Sequence, residues 1–559
     1  MEANSYSYAK RWIVVARNNI ATVLDRSLVG RLPGDVLCIY EKMDFVQLGT
    51  HCFILKTLAA FVVSLMLACT SESPNSGAAN YPVNNDESQN DSSQDSAVFD
   101  ETSSVPLGIT IDLDETFQTI DGWETYLRMW EEDKVNDRFD KSIEVYTDLV
   151  ADHLVTNVGI NRVRLEVWSG LENPVDYWSA FYSGELTYSA WKNHRYQKIN
   201  DNDDPLVTNP EGFQFARFDY AVERMLLPMK RAMEAIGEEL YVNLCYVDFK
   251  WSEETLQGTF SHAKNEDEYA EFISVFVNRL NDKYGVIVDS IEIILEPENT
   301  ESWRGTQIGR AVVEVADRLQ AEGFSPEIVA PSTTSMRRAV PYFNEMAQVS
   351  GAVNRLDTLA YHRYGGESLA NARQIRQTAE SSGVKTAMLE KVEAGIDQLF
   401  EDLTEANVSA WTQYGMAALA NPVDRNAAHD QGANYVVVRD SREVGPKNVA
   451  NASKSNELAQ LFRFVRRDAK RVNSVTQADR DVQLAAFRNA DESVVVVIRS
   501  TEHQSAIQIS GLPAGSYRTE FLPADSSVVQ RNGLINYSEI DRPLLVSMPM
   551  PGMLSVVSD

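Results

Sequence analysis

The chain predicts an α/β fold, a (β/α)8 barrel with a C-terminal antiparallel β-sandwich. Three observations carry that expectation. From Ile109 onward short apolar runs alternate with longer amphipathic stretches, the pattern of a parallel sheet with helical crossovers. Eight such units can be counted, and a barrel core of that kind takes about 250 residues. After Ser455 the crossovers cease, and β-rich runs follow one another between Gly, Pro, Asn and Asp.

The N-terminal segment reads as an address. The apolar run from Phe53 to Ala68 is shorter than the roughly 20 residues a spanning helix needs, and it closes on Cys69. Leu65-Met66-Leu67-Ala68-Cys69 resembles a bacterial lipobox in which the cysteine is lipidated, with Met66 where leucine is usual. Met43 would begin a signal peptide of ordinary length, which makes residues 1–42 a candidate start-site artefact. Residues 70–104 are rich in Ser, Asn and Asp and poor in apolar groups, so they are expected to form a disordered tether. The expected location is exported, as a cell-surface or periplasm-facing lipoprotein of a bacterium that meets the membrane only through its lipid.

The barrel is placed at 105–455 and the sandwich at 456–559. Barrel strands are expected near 118–122, 162–167, 241–247, 290–295, 327–330, 358–361, 386–389 and 408–411. Helical patterns lie between them, for example at 268–281, 309–321 and 396–406. Sandwich strands are expected near 494–498, 506–509, 517–521 and 544–548, and a strand near 109–113 is a candidate to complete that sheet.

Bulk chemistry narrows the function. The 559 residues carry a formal net charge of −30, which argues against a nucleic-acid partner because phosphates need a basic face. The four cysteines form no CxxC pair and the seven histidines no HExxH, so neither a catalytic metal nor any other cofactor is expected. No GxSxG elbow for an esterase occurs.

Of the nine tryptophans, eight fall at or just after a proposed barrel strand. They are Trp123, Trp130, Trp168, Trp178, Trp191, Trp251, Trp303 and Trp411. Loops after barrel strands gather on the face that carries active sites, and sugar rings stack on indoles. All but Trp130 are therefore candidate substrate-binding residues, with Trp178 and Trp191 in an aromatic-rich loop that reads as a platform for a polymer. The competing reading is that such a loop buries its own aromatics as a small core.

Two glutamates close apolar runs. Glu296 stands in SIEIILEPEN (290–299), where Pro297 ends the strand, and Glu390 closes KTAMLE (385–390). Their separation leaves room for three βα units, which puts them on strands four and seven. Paired carboxyl groups across one bond are what glycoside hydrolysis requires, one as proton donor and one facing the anomeric carbon.

Over residues 109–559 these motifs resemble clan A glycoside hydrolases, especially glycoside hydrolase family 30. FQTIDGW (117–123) is similar to that family's first-strand motif, and Leu295-Glu296-Pro297 to its strand-four signature. Tyr361-His362-Arg363-Tyr364 is similar to its strand-six segment. The resemblance implies a TIM barrel, Glu296 as acid/base and Glu390 as nucleophile. It further implies that Arg164, His362 and Tyr364 support them and that Trp411 floors a sugar subsite. A retaining attack on a β-linked polysaccharide, with endo action, is the implied activity. The chain departs from the pattern at Leu295, where the clan usually has an asparagine that meets the sugar 2-hydroxyl. Asn299 or Asn243 is a candidate substitute, Glu298 an alternative acid, and Arg128, Arg304 and Arg363 candidate contacts for an anionic glycan or members of structural ion pairs. Two rival readings stay open. One is a lipid-anchored protein on this fold that binds glycan without cutting it; the other is a barrel enzyme of different chemistry, such as a lyase.

Overall fold

The computed structural model describes residues 106–133, 138–250, 259–420, 433–439, 448–476, 482–539 and 541–559. Cys69, the leader, the tether and Trp251 lie outside the described residues.

Eight parallel strands close into a barrel. In chain order they are Gly122–Tyr126, Arg162–Trp168, Tyr241–Val247, Ser290–Glu292, Glu327–Thr333, Thr358–His362, Lys385–Glu390 and Val408–Leu419. Each pairs with its neighbour, and the eighth closes the ring by pairing with both the seventh and the first. Both faces of these strands are buried, one by the barrel interior and one by helices, and the inward face carries polar side chains such as Glu124, Arg164 and Asn243 among apolar neighbours. Helices such as Glu266–Tyr284, Gly305–Ala321 and Ile396–Glu405 supply that outer cover, each burying one stripe. Among the described residues no helix is long and apolar enough to cross a membrane.

The first barrel strand lies four residues later than expected. Residues 118 and 119 end a long strand, Leu107–Thr119, that belongs to the sandwich. The barrel begins only at Gly122, whose φ of 147° and close approach to Asn161 Oδ1, 2.7 Å from where a Cβ would stand, require glycine. The fourth strand is shorter than expected, since regular pairing ends at Glu292, although Leu295 still donates its N–H to Tyr246 O at 2.9 Å.

The sandwich is one ten-stranded sheet folded over its own core. Ile507 and Leu544 from one end of the strand order share an apolar cluster with Tyr517 and Phe521 from the other, which only a folded sheet allows. Its ladders are antiparallel except one. Leu107–Thr119 runs parallel to Gln504–Ser510 while pairing antiparallel to Lys470–Thr476. The helix Ser455–Phe462 lies between the two bodies, with Phe462 against the barrel and Gln460 O accepting from Ser555 Oγ at 2.7 Å.

Candidate active site

Inside the barrel the strand residues that face inward are largely polar, and they form connected layers. Below, Arg162 pairs with Glu124 at 2.6 Å, and Thr412 Oγ1 donates to the other Glu124 oxygen at 3.0 Å. Asn243 Nδ2 donates to Glu292 at 2.9 Å, and Asn243 Oδ1 accepts from Ser290 Oγ at 2.9 Å. Ser332 Oγ donates to the second Glu292 oxygen at 2.5 Å and lies 3.3 Å from His362 Nε2. Glu124, Arg162, Asn243, Glu292, Ser332 and His362 are all buried, so each hydrogen bond replaces lost hydration.

Glu296 and Glu390 sit above this layer. Glu296 takes left-handed backbone angles, φ 50° and ψ 64°, just before Pro297. Such a conformation in a residue other than glycine costs on the order of 1–3 kcal/mol, and it turns the side chain back over the mouth. Its Oε1 is 2.9 Å from His362 Nδ1, and its Oε2 accepts from Asn299 Nδ2 at 2.7 Å. Glu390 accepts from Arg164 Nη2 on one oxygen and from Tyr364 OH, at 2.9 Å, on the other. One carboxylate oxygen of each glutamate and a ring nitrogen of His362 lie within 4.8 Å of one another. Both carboxylates keep a little exposure, 6% for Glu296 and 8% for Glu390.

The surroundings divide the charge unequally. Burial raises the Glu390 pKa, but the charges of Arg164 and His362 and the hydrogen bonds of Arg164 and Tyr364 outweigh it, so Glu390 is held below the usual carboxylate range. Burial lowers His362, yet its hydrogen bond to Glu296 and the charges of Glu390 and Glu296 reverse the sign and raise it. His362 is therefore held toward its protonated form beside an ionised Glu390.

Sequence reasoning missed three members of this constellation. Glu166 lies two residues beyond Arg164 on the same strand face. It accepts from Tyr126 OH at 2.7 Å and from Trp168 Nε1 at 3.0 Å, with Arg164 at 3.6 Å. Burial raises its pKa although Arg164 opposes that. Tyr126 and Tyr414 complete the wall, their rings edge to face at 5.8 Å. The alternation of RVRLEVW (162–168) carried the signal for Glu166, since Arg162, Arg164, Glu166 and Trp168 share one face.

Several expected site residues stand elsewhere. Trp123 is fully buried within the first strand, stacked on Phe462 at 4.5 Å and donating to Val465 O at 2.7 Å. Trp411 faces outward from the eighth strand and donates to Asp402 at 2.9 Å. Trp303 is fully buried against Tyr246 and Tyr269. Trp178 and Trp191 are 3% exposed and pack with Phe139, Phe181 and Tyr220, so the strand-two loop buries its own aromatics. None of these five offers a free ring face to a sugar. Trp168 stands at the end of the second strand, but Arg195 and Arg217 approach its ring at 4.7 and 4.9 Å. Trp130 is half-buried and donates to Ser142 Oγ at 3.0 Å.

Neither candidate substitute for the missing asparagine is free. Asn243 is committed to the lower layer and Asn299 to Glu296. Leu295 is buried. Glu298 turns to Thr334, accepting from its N–H at 3.0 Å and its hydroxyl at 3.2 Å. Arg363 is buried in ion pairs with Asp402 at 2.8 Å and Glu401 at 2.6 Å, a structural role. Arg128 Nη1 approaches Tyr414 OH at 3.5 Å, and Arg304 is exposed.

Comparison with known proteins agrees with this architecture. Residues 468–528 match the family model for the glycosyl hydrolase family 30 beta sandwich domain. A search of curated proteins found no match. Among solved structures, the catalytic domain of GH30 xylanase C from Talaromyces cellulolyticus has a TM-score of 0.55 at 16% identity, with 81% of this chain and 100% of that chain covered. An endo-beta1,6-glucanase has a TM-score of 0.55 at 14% identity, with 81% and 94% covered. A conserved exported protein from Bacteroides fragilis has a TM-score of 0.55 at 12% identity, with 80% and 99% covered. At such identities the structural likeness speaks for the fold, while the sandwich match names a family. By the fold of its two bodies and the sequence of its sandwich, the chain resembles glycoside hydrolase family 30, a family of hydrolases that cleave glycosidic bonds.

Proposed function

We propose that this chain is a retaining glycoside hydrolase that cleaves a β-linked polysaccharide, endo-acting, with Glu390 as nucleophile and Glu296 as acid/base. The observation that carries this reading is the approach of the two carboxylates, one oxygen of each within 4.8 Å, with opposite supports. Retaining enzymes hold their carboxyl groups about 5–5.5 Å apart, whereas inverting ones leave about 6.5–9.5 Å for a water.

In the first step Glu390 attacks the anomeric carbon, and the carbon–oxygen bond to the leaving group breaks as Glu296 delivers its proton to that oxygen. Arg164 keeps the nucleophile ionised and Tyr364 aims its second oxygen. In the second step Glu296 takes a proton from water, which displaces Glu390 with a second inversion. Xylan and β-1,6-glucan are the first polymers to test, because proteins of this fold include a GH30 xylanase and an endo-beta1,6-glucanase. With Leu295 in place and both nearby amides occupied, recognition of the sugar 2-hydroxyl falls to other groups or is absent. The leader supports an exported, Cys69-lipidated form, which radiolabelled palmitate would mark and Cys69→Ala would lose.

The decisive experiment separates the two glutamates. Glu390→Ala should abolish turnover of every substrate while glycan binding persists. Glu296→Ala should lose about 10²–10⁴-fold on natural glycans, the usual cost of a missing proton donor, and far less on aryl glycosides with good leaving groups. Azide should rescue Glu296→Ala and yield a glycosyl azide of retained configuration. An inert wild type that still binds glycan would instead favour the non-catalytic reading, and turnover unchanged in both variants would sink the assignment.

A further inference from the structure

The loop after the second barrel strand returns through residues 200–212 to meet the start of the helix Glu266–Tyr284. There Asp201, Glu268 and Glu271 each bring a carboxylate oxygen within 4.8 Å of the others. Glu268 is 9% exposed and Glu271 only 1%. Both Glu271 oxygens are buried without a hydrogen-bond partner of normal geometry, although Thr208 stands close enough to favour the charged form. Asp201 Oδ1 is also buried and unpartnered, while the Asn200 side chain hydrogen-bonds to Glu268. Arg318, whose charge acts on Glu271, is engaged with Glu322 and with Pro205 O.

The cluster is held in place by contacts that leave those oxygens unclaimed. Asp201 Oδ2 accepts from Asn209 N at 2.6 Å and Asn202 Nδ2 at 2.8 Å, while Asp201 N donates to Glu172 at 3.0 Å. A Cβ on Gly212 would stand 2.3 Å from Asp201 Cβ, so only glycine there lets Asp201 sit where it does. Burying gathered carboxylates with open lone pairs is costly unless a cation meets them.

We propose that Asp201, Glu268 and Glu271 bind a hard divalent cation of the calcium type. The ligand set is all oxygen and comes from both a loop and a helix, which suits the flexible shell of calcium better than the strict octahedron of magnesium. Two oxygens on one calcium ion lie at most about 5 Å apart, since each bond is about 2.3–2.6 Å, and the cluster meets that limit. The ion's role is structural. It ties the aromatic loop after strand two to the helix after strand three, and it has no part in the glycosidic chemistry.

The test is calorimetric titration and thermal melting of the full chain, stripped with EDTA at pH 7.5 and then given calcium or magnesium chloride. Calcium at about a hundredfold excess over Kd should raise Tm by about 3 °C, with magnesium giving less. Glu271→Gln and Asp201→Asn should each lose the calcium response, and Glu271→Gln should melt higher than wild type in EDTA because a repulsion is relieved. Absence of binding heat together with a Tm indifferent to both cations would overturn the site and leave a shared proton as the neutralising charge. A full calcium response in both variants would also overturn it, and a magnesium response equal to that of calcium would overturn the choice of ion.

Discussion

The interior of the barrel and the core of the sandwich solve the same problem with opposite chemistry. The sandwich core is Ile, Val and Leu with a few aromatics, among them Ile109, Val496, Ile498, Ile507 and Phe521. The barrel interior instead buries Glu124, Arg162, Arg164, Glu292, His362 and Glu390 in hydrogen-bonded networks. Buried ion pairs add little net stability compared with packed apolar groups, because desolvation offsets most of the attraction. What they supply is position, with each member fixed by two partners, which a reaction between two carboxylates demands. Stability thus comes mainly from the helical shell and the sandwich, and the barrel interior is specialised for chemistry.

Substitutions can break or sharpen that contrast. The largest effect is expected from Arg164→Met, which leaves Glu390 buried without its counter-ion. Breaking one partner of a buried pair typically costs about 3–5 kcal/mol, and kcat should fall with it. Denaturant melts paired with kinetics would show both losses, and a variant with normal kcat would remove Arg164 from the mechanism. Trp123→Ala should lower stability by about 3–5 kcal/mol through the cavity against Phe462 while leaving KM for polymer unchanged. A raised KM at normal stability would restore Trp123 to a sugar-binding role.

The pH dependence comes next. His362 is raised above its ordinary value, so its stabilising contribution is full below about pH 6.5 and is lost as pH rises through its folded pKa. Glu390 is lowered, so its contribution is present above the usual carboxylate range and is lost as pH falls through its folded pKa. Stability followed by chemical denaturation should therefore decline on both sides. His362→Gln should remove the alkaline decline and keep the acidic one; an unchanged alkaline limb would show that another group sets it. The smallest effect is expected in the sandwich, where Ile498→Val should cost about 0.5–1.5 kcal/mol with kcat and KM unmoved. A change in kcat there would mean that the two bodies are coupled beyond mere support.

The positions of Glu296 and Glu390 were legible because an apolar run that stops at a charged residue marks a strand end, and Pro297 sharpened one of those stops. Arg164 was legible from its motif, while Glu166 on the same face was passed over. Trp123, Trp178, Trp191, Trp303 and Trp411 turn away from the barrel mouth for a physical reason. Sequence position says that a residue follows a strand, but the direction of its ring is set by partners such as Phe462 and Asp402 from distant parts of the chain. The first strand was misread because Leu107–Thr119 and Gly122–Tyr126 are separated by only two residues and serve different sheets. The Asp201, Glu268 and Glu271 cluster has no local motif, since a loop and a helix far apart in sequence build it.

The strand Leu107–Thr119 has a consequence for how this chain comes to be. It stands just before the barrel, yet Gly108 O accepts from Thr476 Oγ1, 368 residues away in sequence. The molecule is laced shut, with its opening strand waiting for a partner that is synthesised after the whole barrel. Long-range pairing of this kind folds slowly, because the loop must close before the contact rewards it. A nascent chain therefore carries Leu107–Thr119 as a bare edge until residues 470–476 arrive. A barrel cut off before Lys470 would keep that edge permanently, open to pairing with a neighbouring chain. The sandwich is in this sense a lock whose keyhole is made first and whose key is made last.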